Sequence, residues 1–113
     1  RLPRMSAHVA FLTDYGPGTE HVGALHAVVA AACPGATLID LAHDIPPGDI
    51  RWGAIVLARL APLLPGAVIV AVVDPGVGTA RRSVVARSES GQLFVTPDNG
   101  TLTLIAESVE GAE

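Results

Sequence analysis

Residues 67–82 read AVIVAVVDPGVGTARR, and this stretch is the most informative part of the chain for the fold. Its first five residues are apolar, rich in β-branched side chains and too short a run for a helix, so they predict a buried strand. Asp74 follows at the carboxyl end of that strand, and a Pro-Gly-x-Gly turn with two arginines comes next. Ligands of open α/β sheets bind outside the carboxyl ends of the strands, so Asp74 is a candidate site residue. Gly76 and Gly78 let the turn tighten and let a ligand approach the backbone closely.

Asp74 and Arg81 are predicted to fold back toward each other across this turn. One interpretation is a structural ion pair that holds the turn. The other is a pair that orients a water molecule, because a neighbouring guanidinium favours the ionised carboxylate and keeps it a firm hydrogen-bond acceptor. Positioning would then matter more than proton abstraction. Arg82 is expected to face solvent or a neighbouring subunit.

The remainder of the chain alternates strand and helix patterns on both sides of this stretch. Asp49 is predicted to cap the second helix, and Pro65 with Gly66 to close it. The predicted order is strand 8–13, helix 19–33, strand 37–41, helix 50–64, strand 67–73, a hairpin of 83–87 and 92–96, and a helix ending near Ser108. This β-α-β-α-β then β-β-α order predicts an α/β fold with a mostly parallel sheet flanked by helices.

Composition excludes several classes of function. The 113 residues suffice for one domain, and half of them are apolar. The net charge is −4, and the seven cationic residues are all arginines without a basic stripe, so no nucleic-acid partner is expected. No apolar run approaches the roughly 20 residues of a membrane span, so no membrane role is expected. Cys33 is a single cysteine, which excludes an intrachain disulfide and predicts a cytoplasmic protein.

A second acidic residue follows a predicted strand in FLTDYG, residues 11–16. Asp14 is placed to accept hydrogen bonds from two vicinal hydroxyls, as acidic residues do with ribose in nucleotide-binding folds. The alternative is that Asp14 orders the loop before the helix at 19. Because the carboxyl ends of parallel strands meet at one edge, Asp14 and Asp74 are predicted to line one pocket.

The histidines show no metal-binding pattern along the chain. His21 and His26 are five residues apart, which is off the i,i+4 face of helical zinc sites, and His8 has no ligand-like neighbour. No metal site is therefore predicted. His43, before two prolines, is expected to be a hydrogen-bonded loop element. Asn99 in PDNG predicts a turn and a helix cap, with a ligand role as the second interpretation.

Four motifs occur in order along the chain: FLTDYG at 11–16, HDIPP at 43–47, VDPGVGTARR at 73–82 and PDNG at 97–100. Together they resemble the S-adenosylmethionine (SAM) hydroxide adenosyltransferase family, whose members are also called SAM hydrolases and are related to the fluorinase and chlorinase. The resemblance covers nearly the whole chain and implies an N-terminal α/β domain, a smaller C-terminal β-barrel domain and a homotrimer with the substrate at the subunit interface. Residues 1–113 are then expected to be one incomplete N-terminal α/β domain without the barrel.

The resemblance also implies a reaction, in which water or hydroxide attacks the ribose C5′ of SAM and expels methionine to leave adenosine. No cofactor is implied, since SAM is the substrate. Asp14 would hold the ribose hydroxyls, and Asp74 and Arg81 would belong to the water-orienting set. A third member of that set, a His, and the adenine contacts would fall after Glu113, so this piece alone is expected to be inactive.

Two alternatives stay open at this point. A SAM-dependent halogenase would use the same fold, but the Asp74–Arg81 pair and the tight turn at 88–91 favour hydroxide over halide. A non-catalytic nucleoside-binding or assembly module is the other alternative. Adenosine release, a halogenated nucleoside, or binding without turnover would distinguish the three.

Overall fold

The computed structural model describes residues 7–74 and 82–111, which form three helices and a five-stranded sheet. A 3-10 turn, Ala61–Leu63, follows the second helix. In chain order the other elements are β1 His8–Thr13, α1 Glu20–Ala32, β2 Thr37–Ala42, α2 Ile50–Leu60, β3 Val68–Val72, β4 Ser83–Arg87, β5 Leu93–Pro97 and α3 Thr101–Gly111.

The sheet has the order β2-β1-β3-β5-β4. The first four strands in that order are parallel, and β4 pairs antiparallel with β5 at the edge. The predicted α/β class, the mostly parallel sheet and the hairpin are therefore confirmed. The two helical crossovers place β1 between β2 and β3, so the carboxyl ends of all three strands lie at one edge of the sheet.

The helices cover both faces of the sheet. Phe11 stacks on His26 of α1, with ring centroids 5.1 Å apart, whereas Gly53 of α2 approaches the side chain of Leu12. Neighbouring residues of a strand point to opposite faces, so α1 and α2 lie on opposite sides of β1. On the side of the sheet covered by α2, this helix also packs against α3. The core lies on that side and is built from small and branched side chains such as Ala54, Leu57 and Ile69.

Two helix boundaries differ by more than one residue from those predicted. The second helix was expected to reach residue 64, but α2 ends at Leu60 and continues as the 3-10 turn that contains Pro62. Proline has no N–H for the i→i−4 ladder, so the regular helix cannot pass through it unbroken. The last helix was expected to end near Ser108 but reaches Gly111, because no helix-breaking residue occurs before that glycine.

The capping prediction for α2 is confirmed. The side chain of Asp49 accepts a hydrogen bond from the backbone N–H of Trp52 at 3.0 Å.

Across the described ranges, none of the helices has the length and apolar character that a bilayer crossing requires.

Candidate functional site

Asp14 and Asp74 follow two adjacent parallel strands, β1 and β3. Thr13 pairs with Val72 in the sheet register, and the backbone N–H of Asp14 donates to the Val72 carbonyl at 3.2 Å. The two aspartates therefore come to the same edge of the sheet. Asp74 is 8% exposed and Asp14 is half-buried. Arg81 and the turn at 75–80 lie outside the described residues, so the predicted Asp74–Arg81 pair stays a prediction.

The carboxylate of Asp14 is held by the loop that follows β2. Its Oδ2 accepts a hydrogen bond from the backbone N–H of Gly48 at 2.8 Å, and the N–H of Gly16 donates to the His43 carbonyl at 2.8 Å. Gly48 has φ +74°, a conformation that glycine adopts without strain. A carboxylate offers about four lone-pair sites, so the bond to Gly48, the one that the described residues show for this side chain, leaves acceptor capacity for a ligand.

Asn99 fixes the backbone immediately before Asp74. Its Nδ2 donates to the Val73 carbonyl at 2.9 Å, and its Oδ1 accepts from the backbone N–H of Thr101 at 3.1 Å. The second bond confirms the predicted cap of α3. The first was not predicted, because a turn motif identifies the local cap and carries no information about a partner 26 residues away.

Tyr15 stands beside the Asp14 carboxylate. Burial, and then the negative charge of Asp14, raise the pKa of the Tyr15 phenol above its ordinary value of 10.0. The ring lies 5.9 Å from that of His21, at an interplanar angle of 57°. Tyr15 is thus neutral near pH 7 and can offer a ligand both an apolar ring and an O–H donor.

His43 is a buried, hydrogen-bonded loop residue, as predicted. Its Nδ1 is 2.7 Å from Thr13 Oγ1, and its Nε2 donates to Asp40 Oδ1 at 2.6 Å. A hydroxyl, an imidazole and a carboxylate in sequence resemble a nucleophilic triad. However, Thr13 is completely buried and its oxygen also accepts from the N–H of Tyr15, so no substrate can reach this hydroxyl.

Asp40 Oδ1 is also hydrogen-bonded to a second imidazole, because His26 Nε2 lies 2.8 Å from it. Desolvation by burial alone would raise the pKa of Asp40. The hydrogen bonds from His43 and His26, together with their charges, outweigh it and lower that pKa below its ordinary value. This cluster was not predicted, because the spacing of histidines along the chain gives no sign of their approach to Asp40.

A groove of about 850 Å³ lies away from the aspartate edge. It is formed where the β4–β5 hairpin turns, at the amino end of β5, and is closed on one side by α3. None of the predicted site residues lines it. Its lining residues are Ala86, Arg87, Ser88, Glu89, Ser90, Gln92, Phe94, Leu102, Ile105 and Ala106.

Arg82 extends into solvent, in agreement with one of its two predicted environments. Its side chain is 87% exposed, and its Nη2 lies 3.3 Å from Asp98 Oδ2. An ion pair this exposed contributes little to the free energy of unfolding. Arg82 is therefore a useful control residue for its neighbour Arg81.

Comparison with known proteins identifies the family to which this chain belongs. The profile of the SAM hydroxide adenosyltransferase N-terminal domain matches residues 9–113. A curated relative from Salinispora arenicola, named (R)-S-adenosyl-L-methionine hydrolase, is 50% identical over 105 residues, which cover 93% of this chain and 40% of the relative. A fluorinase from Actinoplanes sp. is 28% identical over 122 residues, which cover 88% of this chain and 41% of the relative.

A solved structure gives the same result for the fold. The crystal structure of a conserved hypothetical protein from Thermus thermophilus is 50% identical, with a TM-score of 0.76. The match covers 88% of this chain and 41% of that protein. The chain thus spans about two fifths of the length of the relatives that it matches.

Proposed function

Since the chain belongs to the SAM hydroxide adenosyltransferase N-terminal domain family, we propose that the whole protein hydrolyses SAM to adenosine and L-methionine. The observation that carries the proposal is the arrival of Asp14 and Asp74 at one sheet edge, on adjacent parallel strands. The 50% identity to a protein named (R)-S-adenosyl-L-methionine hydrolase supports the same substrate.

The proposed chemistry is a displacement at the ribose C5′ carbon. Water forms the new C5′–O bond and loses a proton, while the C5′–S bond breaks and sulfur keeps its electron pair. The sulfonium is already a good leaving group. The protein therefore has mainly to align one oxygen with the C–S bond, stabilise it and exclude competing water.

Each predicted residue has a proposed part in this step. Asp14, held by the N–H of Gly48, accepts hydrogen bonds from the ribose hydroxyls and fixes the sugar. Asp74, nearly buried at the next strand end, accepts a hydrogen bond from the attacking water and orients it. Arg81 stabilises the developing hydroxide. In the whole protein a downstream His and a C-terminal β-barrel domain would supply further contacts, within a homotrimer located in the cytoplasm.

Incubation of the full-length protein with SAM, with adenosine followed by chromatography, tests this proposal. Asp74→Asn and Arg81→Ala are expected to slow turnover by about a hundredfold or more, because each removes a group that acts on the reacting oxygen. Asp14→Asn is expected chiefly to weaken substrate binding. Asp44→Asn and Arg82→Ala are matched controls in exposed positions and should retain activity.

The outcomes separate the candidate functions. Adenosine formation unaffected by Asp74→Asn would overturn the proposed role of that carboxylate. A halogenated nucleoside formed on addition of chloride or fluoride would favour a halogenase, for which the 28% identity to a fluorinase is the supporting observation. Light scattering of the full-length protein tests the trimer, and cell fractionation tests the location.

A further inference from the structure

Three side chains from three elements converge on one point between α1 and β2. His26 comes from α1, Asp40 from β2, and His43 from the loop after β2. The two Nε2 atoms lie 2.8 and 2.6 Å from the same oxygen, Asp40 Oδ1. One ligand atom from each residue lies within 4.8 Å of the other two.

The sheet register and one ring contact bring these groups together. Phe11 pairs with Asp40 across the parallel β1–β2 ladder, so both side chains point to the face covered by α1. The imidazole of His26 stacks on Phe11 at 5.1 Å, which places its Nε2 over the neighbouring Asp40. The position of His26 is therefore set by a buried aromatic ring and does not depend only on its attraction to the carboxylate.

The position of His43 is fixed from the opposite side. Its Nδ1 bonds to Thr13 Oγ1 at 2.7 Å, and this oxygen is anchored in β1 with no exposure to solvent. A histidine that binds a metal through Nε2 typically donates its other ring N–H to a fixed acceptor, most often a carboxylate, a backbone carbonyl or water, and this bond orients the ring. Thr13 supplies that support here.

Two imidazole nitrogens and one carboxylate oxygen form a donor set that zinc and similar divalent metals prefer. Without a metal, both rings must present an N–H to a single oxygen. Zinc bonds of about 2.0–2.2 Å set tetrahedral ligand atoms about 3.3 Å apart. Asp40 would therefore move away from both nitrogens, and the two nitrogens, now within 4.8 Å of each other, would adjust to that spacing. The Asp40 side chain is 43% exposed and has the room to do so.

We propose that His26, Asp40 and His43 bind one divalent transition-metal ion of the zinc type. Because the side chains of His26 and Asp40 are 32% and 43% exposed, the fourth coordination position faces solvent and holds water. The ion would tie α1 to β2 beside the loop that carries Asp14. The site is independent of the proposed hydrolysis, to which it contributes no reacting group.

The test uses the full-length protein after treatment with a chelator. Zinc affinity is measured by competition with a chromophoric chelator, and Co²⁺ serves as a spectroscopic probe of tetrahedral coordination. His26→Gln and Asp40→Asn are expected to weaken zinc binding by at least about tenfold. His8→Gln, an exposed histidine at the start of β1, is the matched control and should bind like the wild type.

A thermal measurement completes the test. Zinc should raise the melting temperature of the wild type and of His8→Gln, but not that of His26→Gln, because a ligand that binds only the folded state stabilises it. His26 is partly exposed, so its variant is expected to fold. Absence of zinc binding, or equal affinity in wild type and both cluster variants, would overturn the proposal. Neither result would alter adenosine formation, so failure here is distinguishable from failure of the proposed function.

Discussion

The side-chain amide of Asn99 donates a hydrogen bond to the carbonyl of Val73, the residue before Asp74, at 2.9 Å. The start of α3 and the end of β3 are thereby joined through one side chain. The same amide group caps α3, because its oxygen accepts from the N–H of Thr101. The position of Asp74 therefore depends on a residue that is distant in sequence.

Asn99→Asp separates these two functions of the side chain. The carboxylate keeps the acceptor that caps α3 but loses the donor, and it turns an oxygen toward the Val73 carbonyl. We expect the free energy of unfolding to fall by about 1–3 kcal/mol. Adenosine formation should slow by about tenfold to a hundredfold as Asp74 is displaced. Urea denaturation and turnover of SAM measure the two effects.

The matched control is Asp98→Asn, one residue earlier. It removes only the exposed pair with Arg82, so the free energy of unfolding should change by less than about 1 kcal/mol. If Asn99→Asp retained full activity, the bond to Val73 would have no part in positioning Asp74.

The Tyr15 phenol is expected to ionise at higher pH in the folded protein than in the unfolded chain. Its folded pKa is raised by burial and by the charge of Asp14. The raised pKa therefore contributes to the stability of the fold, and this contribution is fully present below about pH 10, the pKa in the unfolded chain. It is lost as the pH rises through the folded pKa. Difference absorbance of the phenolate, wild type minus Tyr15→Phe, measures the pKa directly.

Asp14→Asn provides the control for the second cause of this shift. It removes one negative charge and keeps the burial, so the Tyr15 pKa should move part of the way toward its ordinary value. Ionisation of Tyr15 at the same pH in the folded and the guanidinium-unfolded protein would contradict the prediction.

The order of elements could be predicted from the sequence because each signal is local. Apolar runs, Pro-Gly pairs and the Asp49 cap are all contained within a few residues. The shared edge of Asp14 and Asp74 was also predictable, since parallel strands align their carboxyl ends whatever the exact strand order.

The contacts that position those residues could not be predicted in this way. The bond from Asn99 to Val73 spans 26 positions, and that from Thr13 to His43 spans 30. The approach of His26 to Asp40 depends on the register of β2 against β1 and on where α1 crosses the sheet. Such details follow from tertiary packing, and no spacing rule encodes them.

Gln92, in the β4–β5 hairpin, forms hydrogen bonds to the backbone that follows α2. Its buried Nε2 donates to the carbonyls of Ala61 and Leu64 at 2.8 and 2.7 Å. Gln92→Met keeps the length of the side chain but leaves both carbonyl oxygens without this donor. We expect the free energy of unfolding to fall by about 1–3 kcal/mol in chemical denaturation.

Glu89→Gln, an exposed position in the same hairpin turn, is the control and should change the free energy of unfolding by less than about 0.5 kcal/mol. Gln92→Glu should cost more than Gln92→Met, because it turns a negative charge toward two carbonyl oxygens. Equal stability of the wild type and both Gln92 variants would show that the bonds these carbonyls already accept from the N–H groups of Leu64 and Ala67 are sufficient for them.

Replacement by alanine is expected to change the free energy of unfolding in opposite directions at two helical glycines. A Cβ on Gly53 would lie 3.2 Å from Val73 Cγ2 and 3.4 Å from Leu12 Cδ2, and both neighbours are 1% exposed. Neither can move into open space, so Gly53→Ala overpacks the contact between α2 and the sheet. That cost of about 1–3 kcal/mol exceeds the gain in helix propensity of up to about 1 kcal/mol.

Gly23, on the exposed side of α1, has open space where a Cβ would lie, with no atom within 4 Å, so Gly23→Ala brings only the gain in helix propensity. We expect Gly53→Ala to lower the free energy of unfolding by about 1 kcal/mol and Gly23→Ala to raise it by about 0.5–1 kcal/mol. Urea titrations with equal m-values allow direct comparison. A gain in stability from Gly53→Ala would mean that Val73 yields, and Asp74 beside it should then shift and SAM turnover should fall.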